Sequence, residues 1–142
     1  GKAVLTEFQK KMRGRQKYLY NHVATNHRDF VKEVISEVPE GGNYKDLPSG
    51  IGESRKFNEA WTRYHSQKPS RTIDTGHRNH FHYRYNRVPT IRENARLQTF
   101  PDSFIFYGSK TAQNRLVGNA VPPVLGKVLA HKIKEYIDQV PE

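Results

Sequence analysis

The chain has 142 residues, with 24 lysines and arginines against 14 acidic residues, and it contains no cysteine. This length predicts one domain, since domains ordinarily contain about 100 to 200 residues. No stretch approaches the roughly 20 uninterrupted apolar residues that cross a bilayer, so the sequence predicts no membrane span. The absence of cysteine excludes disulfides, thiolate metal ligands and a cysteine nucleophile within these residues.

The formal net charge of +10 favours a polyanionic partner, because each phosphate that a Lys or Arg neutralises releases condensed counterions. Eight basic and two acidic side chains fall between residues 61 and 100. The same region carries Phe81, Tyr83 and Tyr85, whose rings can stack on bases. These features favour nucleic-acid contact over a merely solvated basic face.

Helical periodicity marks the first part of the chain. Apolar residues at nearly helical spacing predict a short basic helix or connector within residues 1–20. A second helix is predicted from the apolar positions of residues 30–38, with Thr25 or Asn26 as its N-cap and Pro39 beyond its end.

The middle of the chain changes from a helical to an alternating pattern. Ser54 is predicted to open an amphipathic helix that stops near Pro69 and carries Phe57, Ala60, Trp61 and Tyr64 on one side. Residues 70–87 alternate aromatic with polar side chains, which predicts short strands joined by a turn at Thr75-Gly76.

The last part of the chain contains the clearest local signals. Thr90 and Glu93 form the pattern of a capping box, which predicts a helix from about residue 91 to Thr99. The segment GNAVPP at residues 118–123 leads into a long helix with a broad apolar face. Amides at the start of that helix would suit an anionic or polar ligand group, although GNAVPP alone could equally be a tight structural turn, and that interpretation is favoured without further context.

Three histidines, His77, His80 and His82, lie close enough in sequence to suggest a metal site or a metal-dependent nuclease. Cysteine is absent and arginines flank the segment, so packing or DNA-facing roles are favoured over metal binding. The sequence contains no Gly-rich phosphate loop, serine elbow or convergent carboxylate pair. It therefore has the character of a binding element and not of a complete catalyst.

Two blocks in fixed order carry a family resemblance: RVPTIRENARLQTFPD at residues 87–102 and GNAVPP at residues 118–123. They resemble the ninth and tenth sequence motifs of the DNA cytosine-5 methyltransferases. The upstream stretches that resemble the segment after the family's eighth motif are YNHV at 20–23, PEGGNYKDLP at 39–48 and PSRTI at 69–73. The family's usual small residue after Glu93 is Asn94 here, which we expect on an exposed helix turn.

The resemblance also shows what these residues lack. The family's Gly-rich cofactor loop, Pro-Cys nucleophile, Glu-Asn-Val motif and paired-arginine motif precede the matched blocks in a full chain and are absent here. In the family's mechanism a cysteine adds to C6 of a flipped cytosine, and C5 takes a methyl group from S-adenosylmethionine. The resemblance therefore implies an inactive carboxy-terminal part.

The resemblance assigns roles residue by residue. Residues 45–87 correspond to the target-recognition part, which enters the major groove of duplex DNA. The candidate DNA-contacting residues are Arg71, Thr72, His77, Arg78, Asn79 and His80. The residues expected to form the scaffold that fixes this part are Thr90, Arg92, Glu93 and Arg96. Asn119 and the Ala120 amide are expected to complete the S-adenosylmethionine site.

The sequence as a whole predicts an α+β fold in which helices flank an irregular, short-stranded recognition region. We expect a basic connector over residues 1–20, the recognition region over 21–87 and the motif region over 88–142. The long C-terminal helix would pack on a Rossmann-like catalytic domain outside these residues, or the fragment would self-associate.

The resemblance further implies a bacterial restriction-modification protein in the cytoplasm, associated with the nucleoid. A trimmed piece of a longer chain, a separate subunit of a split enzyme and a non-enzymatic DNA-binding module all remain open.

Overall fold

The computed structural model describes residues 5–51, 60–76 and 79–139. Its helices are α1 (Glu7–Arg13), α2 (Asp29–Glu37), a 3-10 turn (Tyr44–Asp46), α3 (Ile91–Leu97), α4 (Lys110–Gly118) and α5 (Pro123–Ile137). Its strands are β1 (Thr62–Arg63) and β2 (His80–Phe81), which pair in parallel. This mixed architecture agrees with the predicted class. Within the described ranges no helix is long and apolar enough to cross a membrane.

The two N-terminal helices form where the periodicity predicts them. The α1 helix begins with a capping box between Thr6 and Gln9. The predicted cap of α2 is wrong, because Arg28 is its N-cap residue and makes no side-chain capping bond. The Thr25 hydroxyl instead accepts a hydrogen bond from Lys110 Nζ, which joins the segment before α2 to α4.

The predicted helix from Ser54 to near Pro69 is wrong where the structure describes it. Ser54 and Phe57 lie outside the described residues, and Trp61 has a left-handed φ of 56° that no regular helix contains. The Thr62 amide then donates to Asn79 O at 2.9 Å and the Tyr64 amide to Phe81 O at 3.0 Å. Long-range pairing with β2 therefore overrides the amphipathic pattern of this segment.

The strand content of residues 70–87 is smaller than predicted. Among the described residues of that range, only residues 80–81 form a strand. The partner is the preceding β1 and not a neighbour across the Thr75-Gly76 turn. The alternation of aromatic and polar residues after Phe81 belongs to a bend and not to a longer strand.

The C-terminal elements largely confirm the sequence analysis. The Thr90 hydroxyl accepts from the Glu93 amide and the Glu93 carboxylate accepts from the Thr90 amide, which is the predicted capping box. The α3 helix ends at Leu97, and the left-handed Thr99 follows with a φ of 65°. The α4 helix was not predicted, although Ser109 caps it by accepting from the Ala112 amide. The predicted α5 begins with Pro123 in its first turn.

Two buried apolar clusters hold these elements together. The larger cluster joins the recognition region, α3 and α4 and contains Tyr64, Ile73, Ile91, Ala95, Phe100, Phe106 and Val117. The smaller cluster contains Ile35, Val38, Phe81 and Val88. No α5 side chain is buried within the described part of the chain. Leu125 and Leu129 on α5 are 49% and 50% exposed, so the apolar face of this helix is left uncovered.

Arg63 joins β1 to the end of α2 from inside the fold. It is 6% exposed, and its Nε donates to Val38 O at 2.7 Å. Its Nη2 donates to Ile35 O and to Asn86 Oδ1, while Nη1 reaches His82 O at 3.2 Å. Arg63 therefore satisfies the hydrogen-bonding capacity of carbonyl groups at the end of α2 and does not belong to the basic face on which the charge pattern places it.

Arg92 and Asn21 form a second buried polar centre. Arg92 is 0% exposed, and its guanidinium donates to Tyr20 O, Pro101 O and Phe104 O at 2.5 to 3.0 Å. The Asn21 side chain, on a residue with a φ of 61°, pairs in both directions with the backbone of Phe106. These bonds hold residues 20–21 and residues 101–106 against each other and against α3.

We expect Arg92→Lys to lower the free energy of unfolding by about 2 to 4 kcal/mol, because an ammonium cannot reach the same carbonyls and leaves buried acceptors unpaired. Chemical denaturation measures this difference. The matched control is Arg115→Lys on the exposed surface of α4, where we expect a change within about 0.5 kcal/mol. Equal changes in the two variants would contradict a structural role for the buried guanidinium.

Candidate nucleic-acid interface and cofactor turn

The predicted DNA-contacting stretch begins on an exposed segment with a buried anchor. Arg71 and Thr72 are exposed, whereas Ile73 is 7% exposed and packs in the larger cluster with Val117. The position of Thr72 is thus fixed by the next residue in the chain. His77 and Arg78 lie outside the described residues.

Asn79 and His80 make contacts within the chain. Asn79 Nδ2 donates to Asp74 Oδ2 at 2.6 Å, which joins these two residues. The His80 ring stacks on Tyr64 with centroids 5.3 Å apart. Burial raises the pKa of that Tyr64 phenol, and the nearby Asp74 carboxylate raises it further. Both predicted contact residues are half-buried and help to shape the loop, and their contact with DNA stays a prediction.

An exposed aromatic turn lies beside this loop, and His82 organises it. His82 Nδ1 accepts from the amides of Arg84 and Tyr85 at 3.0 and 3.2 Å. Its ring stacks on Tyr83 at 4.6 Å, while Tyr83 and Tyr85 remain 43% and 51% exposed. Sequence analysis selected the two tyrosine rings but missed the histidine acceptor that holds their turn.

Glu93 forms an ion pair beneath this turn. Both its carboxylate oxygens accept from Arg87 at 2.7 Å, and Oε2 also accepts from the Thr90 amide at 2.8 Å. Burial alone would raise the pKa of Glu93, but these hydrogen bonds outweigh burial and lower the pKa to about 2. Burial lowers the pKa of the neighbouring His82 even though Glu93 opposes that change.

The charged side chains of α3, the helix that carries the predicted scaffold residues, thus form ion pairs within the chain. Arg96 donates to both oxygens of Asp102 at 2.6 and 2.9 Å, and Asp102 is 1% exposed. The exposed basic residues of the 61–100 region within the described ranges are Lys68, Arg71 and Arg84. Asn94, expected on an exposed turn, is only 8% exposed because it lies near the loop of residues 72–76, which we call the recognition loop.

The predicted cofactor residues lie at the end of α4. Asn119 is the C-cap residue of α4 and is exposed, while Ala120 is half-buried. Together with Arg115 and the hydroxyls of Ser109 and Thr111 they line an open depression of about 630 Å³. This volume falls within the roughly 300 to 1,000 Å³ of small-molecule sites.

Hydrogen bonds within the chain shape the backbone of this turn. The Ala120 amide donates to Val117 O at 3.3 Å, and the Val124 amide donates to Thr99 Oγ1 at 3.1 Å. Since Pro122 and Pro123 have no amide hydrogen, the start of α5 offers few free donors. The side chains of Asn119 and Arg115 line the depression, and contact of Asn119 and of the Ala120 amide with a cofactor stays a prediction.

We expect Glu93→Gln to destabilise the protein at neutral pH, because the ion pair with Arg87 is lost. The pKa of Glu93 is lowered on folding, so its stabilising effect is complete above its ordinary value of 4.5 and disappears as the pH falls towards 2. Thermal melts from pH 7 to pH 2 should show the variant and parent converging below pH 4.5. Glu135→Gln, on the exposed surface of α5, is the control and should follow the parent throughout.

Comparison with known proteins places this geometry in a family. A family model described as C-5 cytosine-specific DNA methylase matches residues 2–135. The type II methyltransferase M1.HphI of Haemophilus parahaemolyticus is 42% identical over 130 residues, which cover 89% of this chain and 34% of that protein. The type II methyltransferase M.DdeI of Desulfomicrobium norvegicum is 30% identical over 153 residues, covering 94% of this chain and 37% of that protein.

A solved structure shows the same fold. It is that of an Escherichia coli prophage protein described as a DNA modification methyltransferase, with a TM-score of 0.71 and 23% identity. The similarity covers 98% of this chain and 40% of the other. The chain spans about a third of the length of the two curated relatives. The chain belongs to the C-5 cytosine-specific DNA methylase family.

Proposed function

We propose that this chain is the DNA-recognition and carboxy-terminal portion of a DNA cytosine-5 methyltransferase. The complete enzyme would transfer a methyl group from S-adenosylmethionine to C5 of a cytosine flipped out of duplex DNA. The chain contains no cysteine, so the nucleophile of this reaction must lie outside these residues. We expect the chain alone to be inactive.

The observation that carries the proposal is the shared core behind the two candidate surfaces. Ile73 follows the exposed Thr72, and Val117 lies two residues before Asn119. Both side chains are buried in the cluster that also contains Ile91 of α3. The recognition stretch, the scaffold helix and the cofactor turn are therefore parts of one packed body, as holding a base near a methyl donor requires.

On the DNA side, Arg71 and Thr72 supply polar groups for the phosphate backbone or the flipped nucleotide. The exposed Tyr83 and Tyr85 rings flank Arg84, whose guanidinium lies 5.8 Å from the Tyr85 centroid. Such a cationic and aromatic turn can bind phosphates and stack on unpaired bases. The internal bonds of His82 keep this turn in place before DNA arrives.

On the cofactor side, the depression beside Asn119 fits part of S-adenosylmethionine. The amide of Asn119 can bond polar groups of the cofactor, and Arg115 can bind its carboxylate. S-adenosylmethionine, when bound, supplies an electrophilic methyl group. The residues of this chain bind and orient one side of the cofactor, and the rest of its site lies in the missing portion.

The exposed apolar face of α5 is a second reason to propose that another portion of the enzyme packs on this chain. Its apolar residues include Val124, Leu125, Val128, Leu129 and Ile133, each at least 42% exposed. A contiguous apolar patch of this kind marks an interaction surface. We propose that a Rossmann-like catalytic portion, in the same chain or in a separate subunit, packs on this face.

The size of the natural protein separates these two arrangements, and blotting source cells with an antibody against the chain measures it. A band several tens of kilodaltons heavier would indicate one long methyltransferase. A band at 16.5 kDa would indicate a split enzyme or a freestanding DNA-binding module. The family suggests a bacterial restriction-modification enzyme in the cytoplasm, associated with the nucleoid.

We expect Arg71→Ala and Asn119→Ala to separate the two surfaces in the full gene product. Arg71→Ala should weaken duplex binding several-fold and reduce the slope of log affinity against log salt by about 1, because one phosphate contact is lost. Asn119→Ala should weaken binding of S-adenosylmethionine more than binding of DNA. Fluorescence anisotropy and calorimetry measure the two affinities.

The control for this pair is Lys127→Ala, which removes an exposed charge from α5. It should leave the affinity for S-adenosylmethionine unchanged. Losses of the same size on both ligands from Arg71→Ala and Asn119→Ala would refute the division of roles. A parent protein whose DNA affinity does not fall with salt would refute the proposed interface.

We also expect the 142-residue chain alone to self-associate or to melt without sharp cooperativity, because the α5 face has no cover within the described residues. Analytical ultracentrifugation should show a mass that rises with concentration. The double substitution Leu125→Glu and Leu129→Glu should abolish that rise, whereas Lys127→Glu and Lys134→Glu should not. A monomeric chain with a sharp melt at micromolar concentration would show this expectation to be wrong.

A further inference from the structure

Gly118 is the last residue of α4 and directly precedes Asn119. Glycine at a helix end ordinarily serves a left-handed backbone, but the described glycines with positive φ are Gly14, Gly41, Gly50 and Gly108. Gly118 has an ordinary helical conformation, which alanine would adopt more readily. Backbone conformation therefore gives no reason for glycine at this position.

The reason is space. A Cβ atom on Gly118 would lie 2.5 Å from Asp74 O, 2.6 Å from Asp74 C and 2.8 Å from Thr75 N. Real Cβ atoms essentially never approach closer than 3.0 Å, so the contact has to open by several tenths of an ångström. The opposing atoms belong to the backbone and cannot rotate away as a side chain would.

The backbone that rests on Gly118 belongs to the recognition loop. Asp74 and Thr75 follow the exposed Thr72 and the buried Ile73, which packs in the same cluster as Val117. Asn79 holds the loop from its other end by donating to Asp74 Oδ2 at 2.6 Å. A displacement at Gly118 is therefore passed to a short loop that is fastened at both ends.

We propose that Gly118 is a positioning residue for DNA recognition. Because Gly118 has no side chain, the loop of residues 72–76 packs directly on the end of α4, one residue before Asn119. The recognition loop and the cofactor turn then keep a fixed relation to each other. The role in DNA recognition rests on the proposed function, whereas the close packing of the loop on Gly118 does not.

The test is Gly118→Ala in the full gene product, with Gly126→Ala as the matched control. Gly126 also lies within a helix, and its added Cβ would meet only Val121 Cγ1, at 4.0 Å. Both variants receive the same helix-favouring methyl group, so they differ in whether the methyl group meets the loop. The probes are a mixed-sequence DNA duplex, hydrogen exchange of the loop amides and thermal melting.

We expect Gly118→Ala to weaken duplex binding by roughly tenfold, since small displacements of contact groups have large effects. Exchange at residues 72–76 should become faster, and the melting temperature should not rise. Gly126→Ala should keep the parent's affinity and exchange and melt at the same temperature or higher. Unchanged affinity and exchange in Gly118→Ala, or equal losses in both variants, would overturn the inference.

A second variant covers the case in which Gly118→Ala does not fold. Asp74→Ala removes the bond from Asn79 without introducing a clash. Loss of a negative charge alone would strengthen DNA binding, whereas loss of loop position weakens it. Weaker binding supports the positioning role, and stronger or unchanged binding overturns it.

The outcomes also separate this inference from the proposed function. A parent protein with no salt-dependent DNA binding would overturn the proposed function and the positioning role together. DNA binding at the parent's affinity by both Gly118→Ala and Asp74→Ala would overturn the positioning role alone. Hydrogen exchange at residues 72–76 in Gly118→Ala tests the packing of the loop on Gly118 independently of DNA binding.

Discussion

The buried guanidinium of Arg92 is the interaction on which the arrangement of this chain depends. A fully buried cation is tolerated only where its hydrogen atoms find partners. Backbone carbonyls from residues 20, 101 and 104 supply them, and the carboxylate of Asp102 lies 3.9 Å away. The segment before α2 and the segment after α3 are thus held against the same helix by a side chain that projects between them.

Arg63 has a similar role beside the smaller apolar cluster, where its guanidinium donates hydrogen bonds to the carbonyl groups of Ile35 and Val38. Two polar centres therefore supplement apolar clusters that are modest for the length of the chain, of which 35% is hydrophobic. Because these arginines are used inside the fold, the net charge of the chain overstates the positive charge that is available at its surface. Arginines such as Arg63 and Arg92 bond carbonyl groups within the chain and stabilise the fold, so the proposed DNA contact would involve residues exposed to solvent, such as Arg84.

Local signals in the sequence predicted the local features of the structure. The capping box of Thr90 and Glu93 needs only a four-residue pattern, and α5 needs only its periodic apolar positions and its prolines. Both are confirmed. The family resemblance, carried by two blocks in fixed order, is confirmed by the match over residues 2–135.

Features that depend on distant partners were not predictable in this way. Thr62 and Arg63 form a strand because residues 80–81 lie beside them, and no pattern within residues 54–64 records that neighbour. An arginine in a basic region gives no sign of whether it points inward, as Arg63 does, or outward. The left-handed Asn21 carries a weak signal, because asparagine tolerates that conformation, but its pairing with Phe106 spans 85 residues.

The uncovered α5 helix has a consequence for the cofactor turn in front of it. A 15-residue helix without buried contacts is marginal in water, since isolated helices need at least about 12 to 15 favourable residues. The turn that carries Asn119 lies between α4, which is packed in the larger cluster through Val117, and this helix. Its position is therefore set from the α4 side, where Gly118 meets the recognition loop. The catalytic portion that we propose to pack on α5 would fix the turn from its other side.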